Sequence, residues 1–237
     1  MSLLRLSFLF GCGLIAVSVL ADPLRVQWSG ENGATMKVLG IDAENRIRLN
    51  PTDGSSGEAL MPLAEAQGLH FVLPDEYREA RQRATVGRPA EAVFLLKQIM
   101  PAFVPYAEIP RSNAGPAVRF YFNLLLKQRE WAEAMATADG LIDSVETGAF
   151  IPDLIRLVRL LQAEDRIADA AWLVGRLPLG GGDDSNRLLV VEVADEMRRL
   201  GHWSEAQSIY ERLRLDCPTA EVSRWERLIA YTEWHQG

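Results

Sequence analysis

The chain has 237 residues, of which 48% are hydrophobic and 24% charged, so its length and composition fit one or two ordinary globular domains. A formal net charge of −7 does not provide the basic surface with which proteins bind a phosphate backbone or anionic lipid. We therefore expect no nucleic-acid partner and no membrane association beyond an export signal.

Residues 1–21 have the pattern of a secretory signal peptide. Arg5 supplies a positive charge at the start, residues 6–20 are mostly apolar, and the segment fits cleavage after Ala21. We expect the mature chain in the periplasm or elsewhere in the cell envelope. Two alternatives stay open: the segment remains as an uncleaved anchor, or it is a lipoprotein signal that ends at Cys12.

Removal of this segment leaves Cys217 as the single cysteine of the mature chain. An intramolecular disulfide is then impossible, so the mature fold must rest on packing alone. Cys217 has no basic or metal-binding neighbours in the sequence, and we interpret it as a buried small residue rather than a reactive thiol.

Residues 22–73 show the alternation of apolar and polar residues that is typical of strands. Such runs predict strands at 24–28, 36–39, 47–49 and 59–63. The dipeptide Asn32-Gly33 favours a hairpin turn between the first two, and residues 51–57 form a polar loop. The segment is predicted to be a small antiparallel meander or a partly closed barrel.

The hydrophobic-Pro-Leu segment Met61-Pro62-Leu63, which follows these hairpins, resembles the SH3-like module called SLA1 homology domain 1. The resemblance covers about forty residues. It implies a module that binds short peptides, although no particular residue of this chain is assigned to such binding.

From Pro74 onward no strand is predicted, and one helical pattern recurs. Each copy has a helix, a break, an aromatic or apolar residue, an acid and an alanine that opens a second helix. The alanines are Ala92, Ala134, Ala170 and Ala206, with separations of 42, 36 and 36. Two antiparallel helices that meet near a tight turn require a small residue there, and several such hairpins must stack to bury their apolar faces.

This pattern resembles the tetratricopeptide repeat (TPR) family, whose unit has 34 residues. The match is best in the last copy, which supplies the turn glycine, aromatic, small, large apolar, second apolar and terminal proline positions as Gly201, Trp203, Ala206, Tyr210, Leu213 and Pro218. The resemblance implies a mainly α fold over residues 74–237, a TPR-like helical-hairpin solenoid of about four hairpins plus a capping helix at 221–234. The small β module precedes it.

The chain also departs from the family pattern. Arg129 and Asp165 stand where the turn glycine is expected. The small position of the first helix is occupied by Ala80, Phe122, Val158 and Ala194, so we expect irregular helix packing where it is bulky. The four prolines within residues 101–116 explain the 42-residue spacing, and they predict a second helix that is extended or bent and then followed by a loop.

No arrangement of residues points to catalysis. His70, His202 and His235 share no metal-ligand spacing, and the chain has no nucleophile motif. We expect no catalytic, cofactor or metal site, and we expect that the protein is not an enzyme.

The TPR resemblance implies that the first helix of each hairpin lines a concave surface that binds a protein or peptide segment. The positions that face this surface are Tyr77, Arg81, Arg119, Asn123, Arg156, Arg159, Asp195 and Arg198. Its several arginines are suited to an acidic segment or a carboxylate. Arg119 and Asn123 resemble the family's carboxylate clamp, whereas Leu188 and Glu192 do not fit its remaining positions.

The sequence therefore predicts an exported protein-binding scaffold of the cell envelope. An alternative stays open, in which the chain is an exported enzyme or glycan-binding protein. Its site would then lie on the β module, with Trp28 and the loop at 51–57.

Overall fold

The computed structural model describes the chain in five segments, except for the side chains at 28, 184–186 and 189. These segments are residues 24–28, 35–52, 57–143, 148–177 and 184–237. The predicted signal segment 1–21 lies outside them. The described chain is mainly helical with a small antiparallel sheet at its start, which confirms the coarse fold class.

The sheet contains a strand that the sequence did not predict. Its strands are β1 (Arg25–Trp28), β2 (Thr35–Ile41), β3 (Arg46–Pro51), β4 (Ala59–Pro62) and β5 (Leu69–Phe71), in the spatial order β4-β3-β2-β1-β5. All neighbouring strands are antiparallel, and β5 pairs with β1 so that Phe71 lies opposite Val26. The sheet buries the alternating residues Val26, Ile47 and Leu49 completely.

The helices follow in pairs. They are α1 (Asp75–Thr85), α2 (Pro89–Ile99), α3 (Ala114–Gln128), α4 (Trp131–Asp143), α5 (Ile151–Ala163), α6 (Ile167–Arg176), α7 (Asp184–Arg199), α8 (Trp203–Leu215) and α9 (Val222–Gln236). Helix α1 packs on α2, α3 on α4, α5 on α6 and α7 on α8, while α9 packs on α8. Further contacts of α2 with α3, α4 with α6, α5 with α7 and α6 with α8 join successive pairs.

Each of the four pairs has the same turn. The turn residues Gly87, Arg129, Asp165 and Gly201 have left-handed backbone conformations, with φ of 79°, 58°, 58° and 86°. In every case the next residue donates its N–H to the carbonyl five residues earlier, at 2.8 to 3.0 Å. This bond ends the first helix in the manner of a Schellman motif. Arg129 and Asp165 thus adopt a left-handed conformation, which glycine adopts without strain at the equivalent turn positions 87 and 201.

The alanines of the recurring pattern lie where the two helices of a pair meet. Ala92, Ala134, Ala170 and Ala206 are completely buried, and so are the facing first-helix residues Ala80, Phe122, Val158 and Ala194. The backbones of α3 and α4 approach each other at fewer positions than those of α1 and α2. Two features accompany this difference: Phe122 is bulkier than Ala80, and the 3-10 helix Val104–Tyr106 packs against both α3 and α4.

The proline-rich connection between α2 and α3 is part of the core rather than an exposed loop. It forms two short 3-10 helices, Met100–Ala102 and Val104–Tyr106, and buries Phe103 and Ile109. Helix α2 thus ends at Ile99 and is followed directly by 3-10 helices, and the segment predicted as a loop is packed. Proline restricts the backbone to conformations that suit such tight turns, and the apolar side chains between the prolines supply the buried surface.

The same connection joins the helices to the sheet. The side-chain amide of Asn113 accepts the N–H of Phe71 at 2.8 Å and donates to the Phe71 carbonyl at 2.9 Å. The Phe71 ring packs on those of Phe103 and Tyr106, with centroids 5.7 and 5.1 Å apart. One continuous apolar core therefore includes both the sheet and the helices.

Candidate partner-binding surface

The residues predicted to face a partner lie on the first helix of each pair, and we call them the first-helix surface. Tyr77 and Arg81 are on α1, Arg119 and Asn123 on α3, Arg156 and Arg159 on α5, and Asp195 and Arg198 on α7. Residues three or four positions apart share one face of a helix. The structure brings residues of neighbouring first helices into direct contact, as follows.

Helices α3 and α5 are joined by polar contacts of the first-helix surface. Arg119 donates from Nε to Asp153 Oδ2 at 2.7 Å, and its guanidinium lies 4.6 Å from the centroid of the Phe150 ring. One helical turn further, Arg156 donates from Nη1 to Asn123 Oδ1 at 2.7 Å. Asn123 is fixed in turn by donating its amide to the Arg119 carbonyl at 3.0 Å.

Helices α5 and α7 are joined by the ion pair of Arg159 Nη2 with Glu192 Oε2 at 3.3 Å. Both side chains are well exposed, at 59% and 66%, so this pair contributes little stability. The contacts of Arg119 with Asp153 and of Arg159 with Glu192 span 34 and 33 residues. Both separations are close to one 34-residue repeat.

Asp195 and Arg198 of α7 are held by Tyr210 of α8. The Tyr210 hydroxyl donates to Asp195 Oδ1 at 2.6 Å and accepts from Arg198 Nε at 3.3 Å. Burial and the bond to Asp195 raise the pKa of Tyr210 well above its ordinary value, so the phenol is neutral. Arg198 also lies 5.6 Å from the ring centroid of Tyr231 on α9. These two surface residues therefore have partners within the fold.

The α1 end of the surface is aromatic. Tyr77 is buried, and its ring meets that of Phe120 edge-on at 6.0 Å. Arg81 is exposed and places its guanidinium 5.6 Å from the Phe120 centroid. The buried Tyr77 ring thus packs against Phe120. The Arg81 guanidinium is the exposed group at this end of the surface, and it lies beside the half-buried Phe120 ring.

Two arginines of the surface have no acidic partner among the described residues. Arg81 neighbours the Phe120 ring and the hydroxyl of Tyr77, and Arg156 is bonded to the neutral amide of Asn123. Arg119, Arg159 and Arg198 each lie within 4.0 Å of a carboxylate. Arg81 and Arg156 therefore carry the uncompensated positive charge of the surface.

The sequence interpretation missed the partners that hold these arginines in place. Asp153, Phe120 and Phe150 were not assigned to the surface, and Glu192 was considered only as a clamp position that does not fit. The signal for the two acids was the repeat period, since each follows its arginine by 33 or 34 residues. The aromatic rings carried no such signal, because an aromatic residue in a helix is most often core.

The other residues considered for chemistry are dispersed. No three His, Cys, Asp or Glu side chains of the described chain lie close enough to hold a metal ion. Cys217 is half-buried rather than buried, and its thiol donates to the Arg214 carbonyl at 3.1 Å. The His235 ring stacks on the Trp203 ring, with the two centroids 4.3 Å apart.

The alternative site on the β module falls largely outside the described residues. Positions 53–56 of its loop and the side chain of Trp28 are not among them, although the Trp28 backbone lies opposite Leu69 in the sheet.

None of the helices within the described segments is long and apolar enough to cross a lipid bilayer. No protein-family model matches the chain, and neither a curated protein nor a solved structure matches it.

Proposed function

We propose that the chain is an exported protein-binding scaffold of the cell envelope, built as a TPR-like helical-hairpin solenoid behind a small SH3-like sheet. It binds an extended segment of a partner protein along the first-helix surface. The observation that carries this proposal is the continuity of that surface. Equivalent positions of α1, α3, α5 and α7 follow one another, and side chains separated by 33 or 34 residues touch. Stacked helical repeats use such continuous faces for binding.

The charge of the surface favours a partner segment with carboxylates. Arg81 and Arg156 are exposed and unpaired with acids among the described residues, while the chain as a whole has a net charge of −7. A guanidinium presents several donors in a plane and binds a carboxylate through two of them at once. Arg119, with its bonds to Asp153 and Ala149, holds the surrounding surface in one conformation.

The test compares capture of envelope proteins by residues 22–237 and by the double variant Arg81→Glu, Arg156→Glu. A protein that the parent retains should be identified and purified, and its direct binding should weaken at least tenfold in the variant, about 1.4 kcal/mol. The matched control is Arg214→Glu with Arg227→Glu, which makes the same charge change at exposed positions of α8 and α9, outside the first-helix surface. Equal binding by both double variants would contradict the proposed surface.

Export is tested separately. The mass of the protein recovered from the cell envelope should correspond to a chain that starts at Asp22. A mass that retains residues 1–21 would instead support the anchor, and a lipid adduct on Cys12 would support the lipoprotein alternative.

A further inference from the structure

A pocket of about 350 Å³ lies between α2, α3, α4 and the 3-10 segment that follows α2, and it shares no residue with the first-helix surface. We call it the Tyr121 pocket. Its apolar wall consists of Pro101, Val104, Pro105, Ala136 and Gly140. Its polar residues are Lys97, Tyr121, Glu133 and Thr137. A mostly apolar pocket with a few convergent polar groups, at the lower end of the usual size range, is the common form of a small-ligand site.

Tyr121 is the polar residue of the pocket whose hydroxyl has no hydrogen-bond partner in the described part of the protein. Its side chain is 2% exposed, and its hydroxyl is not fully enclosed and opens to the pocket. A buried hydroxyl usually has a partner, because the loss of its bonds to water is otherwise uncompensated. Burial raises the pKa of Tyr121 to about 12, so the phenol stays neutral and can both donate and accept.

The charged groups of the pocket are arranged around one lysine. Lys97 Nζ lies 2.5 Å from Glu133 Oε1 and 3.3 Å from Glu130 Oε2. Lys97 and Glu133 line the pocket and neutralise each other, while Glu130 lies beside the pocket. The group of three charges therefore has a net charge of −1, which comes from the neighbouring Glu130. The hydrogen bond from Lys97 lowers the pKa of Glu133, which is therefore ionised at neutral pH.

We propose that the Tyr121 pocket binds the ammonium end of a short aliphatic chain. The ammonium donates to the Glu133 carboxylate and the Tyr121 hydroxyl, which both accept, while its stem packs on Pro101, Val104 and Pro105. The negative charge of Glu130, beside the neutral pair of Lys97 and Glu133, favours a cation over an anion of the same shape. The same chemistry is offered by a free aliphatic amine and by a lysine side chain of a partner protein.

The experiment measures binding of pentylammonium to the mature protein by calorimetry, with 1-pentanol and hexanoate as matched neutral and anionic probes. Pentylammonium should bind at least tenfold more tightly than either. The variants Tyr121→Phe and Glu133→Gln should each weaken its binding severalfold. Lys97→Met should strengthen it, because both carboxylates lose their competing cation. Tyr106→Phe, at a buried tyrosine outside the pocket, should leave it unchanged.

A blocking variant tests the location. Ala136 is exposed at the pocket wall, so Ala136→Phe should fold normally and abolish binding. Nα-acetyl-lysine methylamide separates the two sources: binding equal to that of pentylammonium assigns the pocket to a lysine side chain, and much weaker binding assigns it to a free amine.

Three results would overturn the proposal. These are no saturable binding of pentylammonium, equal binding of pentanol, and weaker amine binding in Lys97→Met. Tighter binding of hexanoate than of pentylammonium would also overturn it and would identify a site for an anion.

Discussion

Two residues of the hairpin turns adopt a backbone conformation that suits glycine better than the residue present. Arg129 and Asp165 have φ of 58°, in the left-handed region where Gly87 and Gly201 occupy the equivalent turns. In this region a Cβ approaches the following carbonyl oxygen and costs free energy. The repeat therefore retains its geometry even where its most characteristic residue has changed.

Substitutions at these turns should have opposite effects. Gly87→Ala should lower the free energy of unfolding by about 1 kcal/mol through backbone strain alone, because a Cβ at Gly87 meets no other atom within 4 Å. Arg129→Gly should be more stable than Arg129→Ala by a similar amount. Both Arg129 variants lose the ion pair with Glu164, so their comparison isolates the backbone. Urea denaturation measures each value, and equal stability of the two Arg129 variants would refute the strain.

Two buried tyrosines should respond differently to loss of the hydroxyl. Tyr210→Phe removes bonds to Asp195 and Arg198 and should cost about 2 kcal/mol, since hydrogen bonds to charged groups contribute most. Tyr121→Phe removes a hydroxyl that is not bonded to any described residue and should change the free energy of unfolding by less than about 0.5 kcal/mol. Thermal unfolding of both variants measures the difference, and a large loss in Tyr121→Phe would reveal a structural role for its hydroxyl.

At the scale of the elements, the recurring pattern predicted the helical hairpins well. The second helices begin at Pro89, Trp131, Ile167 and Trp203, within the copies identified from the sequence. A period that recurs four times is a strong signal, because every copy repeats the same packing requirement.

Elements without a period were predicted poorly. Strand β5 has three residues, too few to show alternation, and becomes a strand by pairing with β1. The burial of Phe103 and Ile109 likewise depends on the sheet and α3, which a local pattern does not contain. On the candidate surface, the arginines were predicted from repeat positions, whereas their contacts with Phe120 and Phe150 depend on how neighbouring helices pack.

The junction of sheet and helices depends on one amide. Asn113→Ala removes both hydrogen bonds to the Phe71 backbone and leaves its N–H and carbonyl without this partner, which should cost about 2 kcal/mol. The same substitution at Asn123, whose partner Arg156 is exposed, should cost less. Urea denaturation measures both free energies of unfolding. An equal loss at the two positions would show that the bonds of Asn113 contribute no more to stability than those of Asn123.

For the whole molecule, the hydrogen bonds and ion pairs of carboxyl groups predict how the free energy of unfolding depends on pH. The pKa of Asp42 is lowered by the backbone N–H of Arg46, that of Glu58 by the Arg48 guanidinium, and that of Glu133 by Lys97. A carboxyl with a lowered folded-state pKa stabilises the fold above its unfolded-state pKa, and this contribution is lost as pH falls through the folded-state value.

The free energy of unfolding should therefore decrease as pH falls below about 4, the ordinary range of carboxyl groups, while these three carboxyls contribute no change between pH 6 and 8. Glu133→Gln and Lys97→Met should both reduce the acid dependence, because each removes the pair that lowers the Glu133 pKa. Urea midpoints measured from pH 3 to 8 test this, and an unchanged slope in both variants would exclude a contribution of the pair.

The amide of Asn113 has one more consequence. Strand β5 is the last strand of the sheet order, and its Val72 neighbour bonds back to Arg25, so the N–H and carbonyl of Phe71 are on the outer edge. Open strand edges recruit strands from other molecules and lead to aggregation. At Phe71, the side-chain amide of Asn113 supplies the one donor and the one acceptor that the backbone of an additional strand would supply. We therefore expect this side chain from the helical region to oppose the pairing of a further strand with the β5 edge.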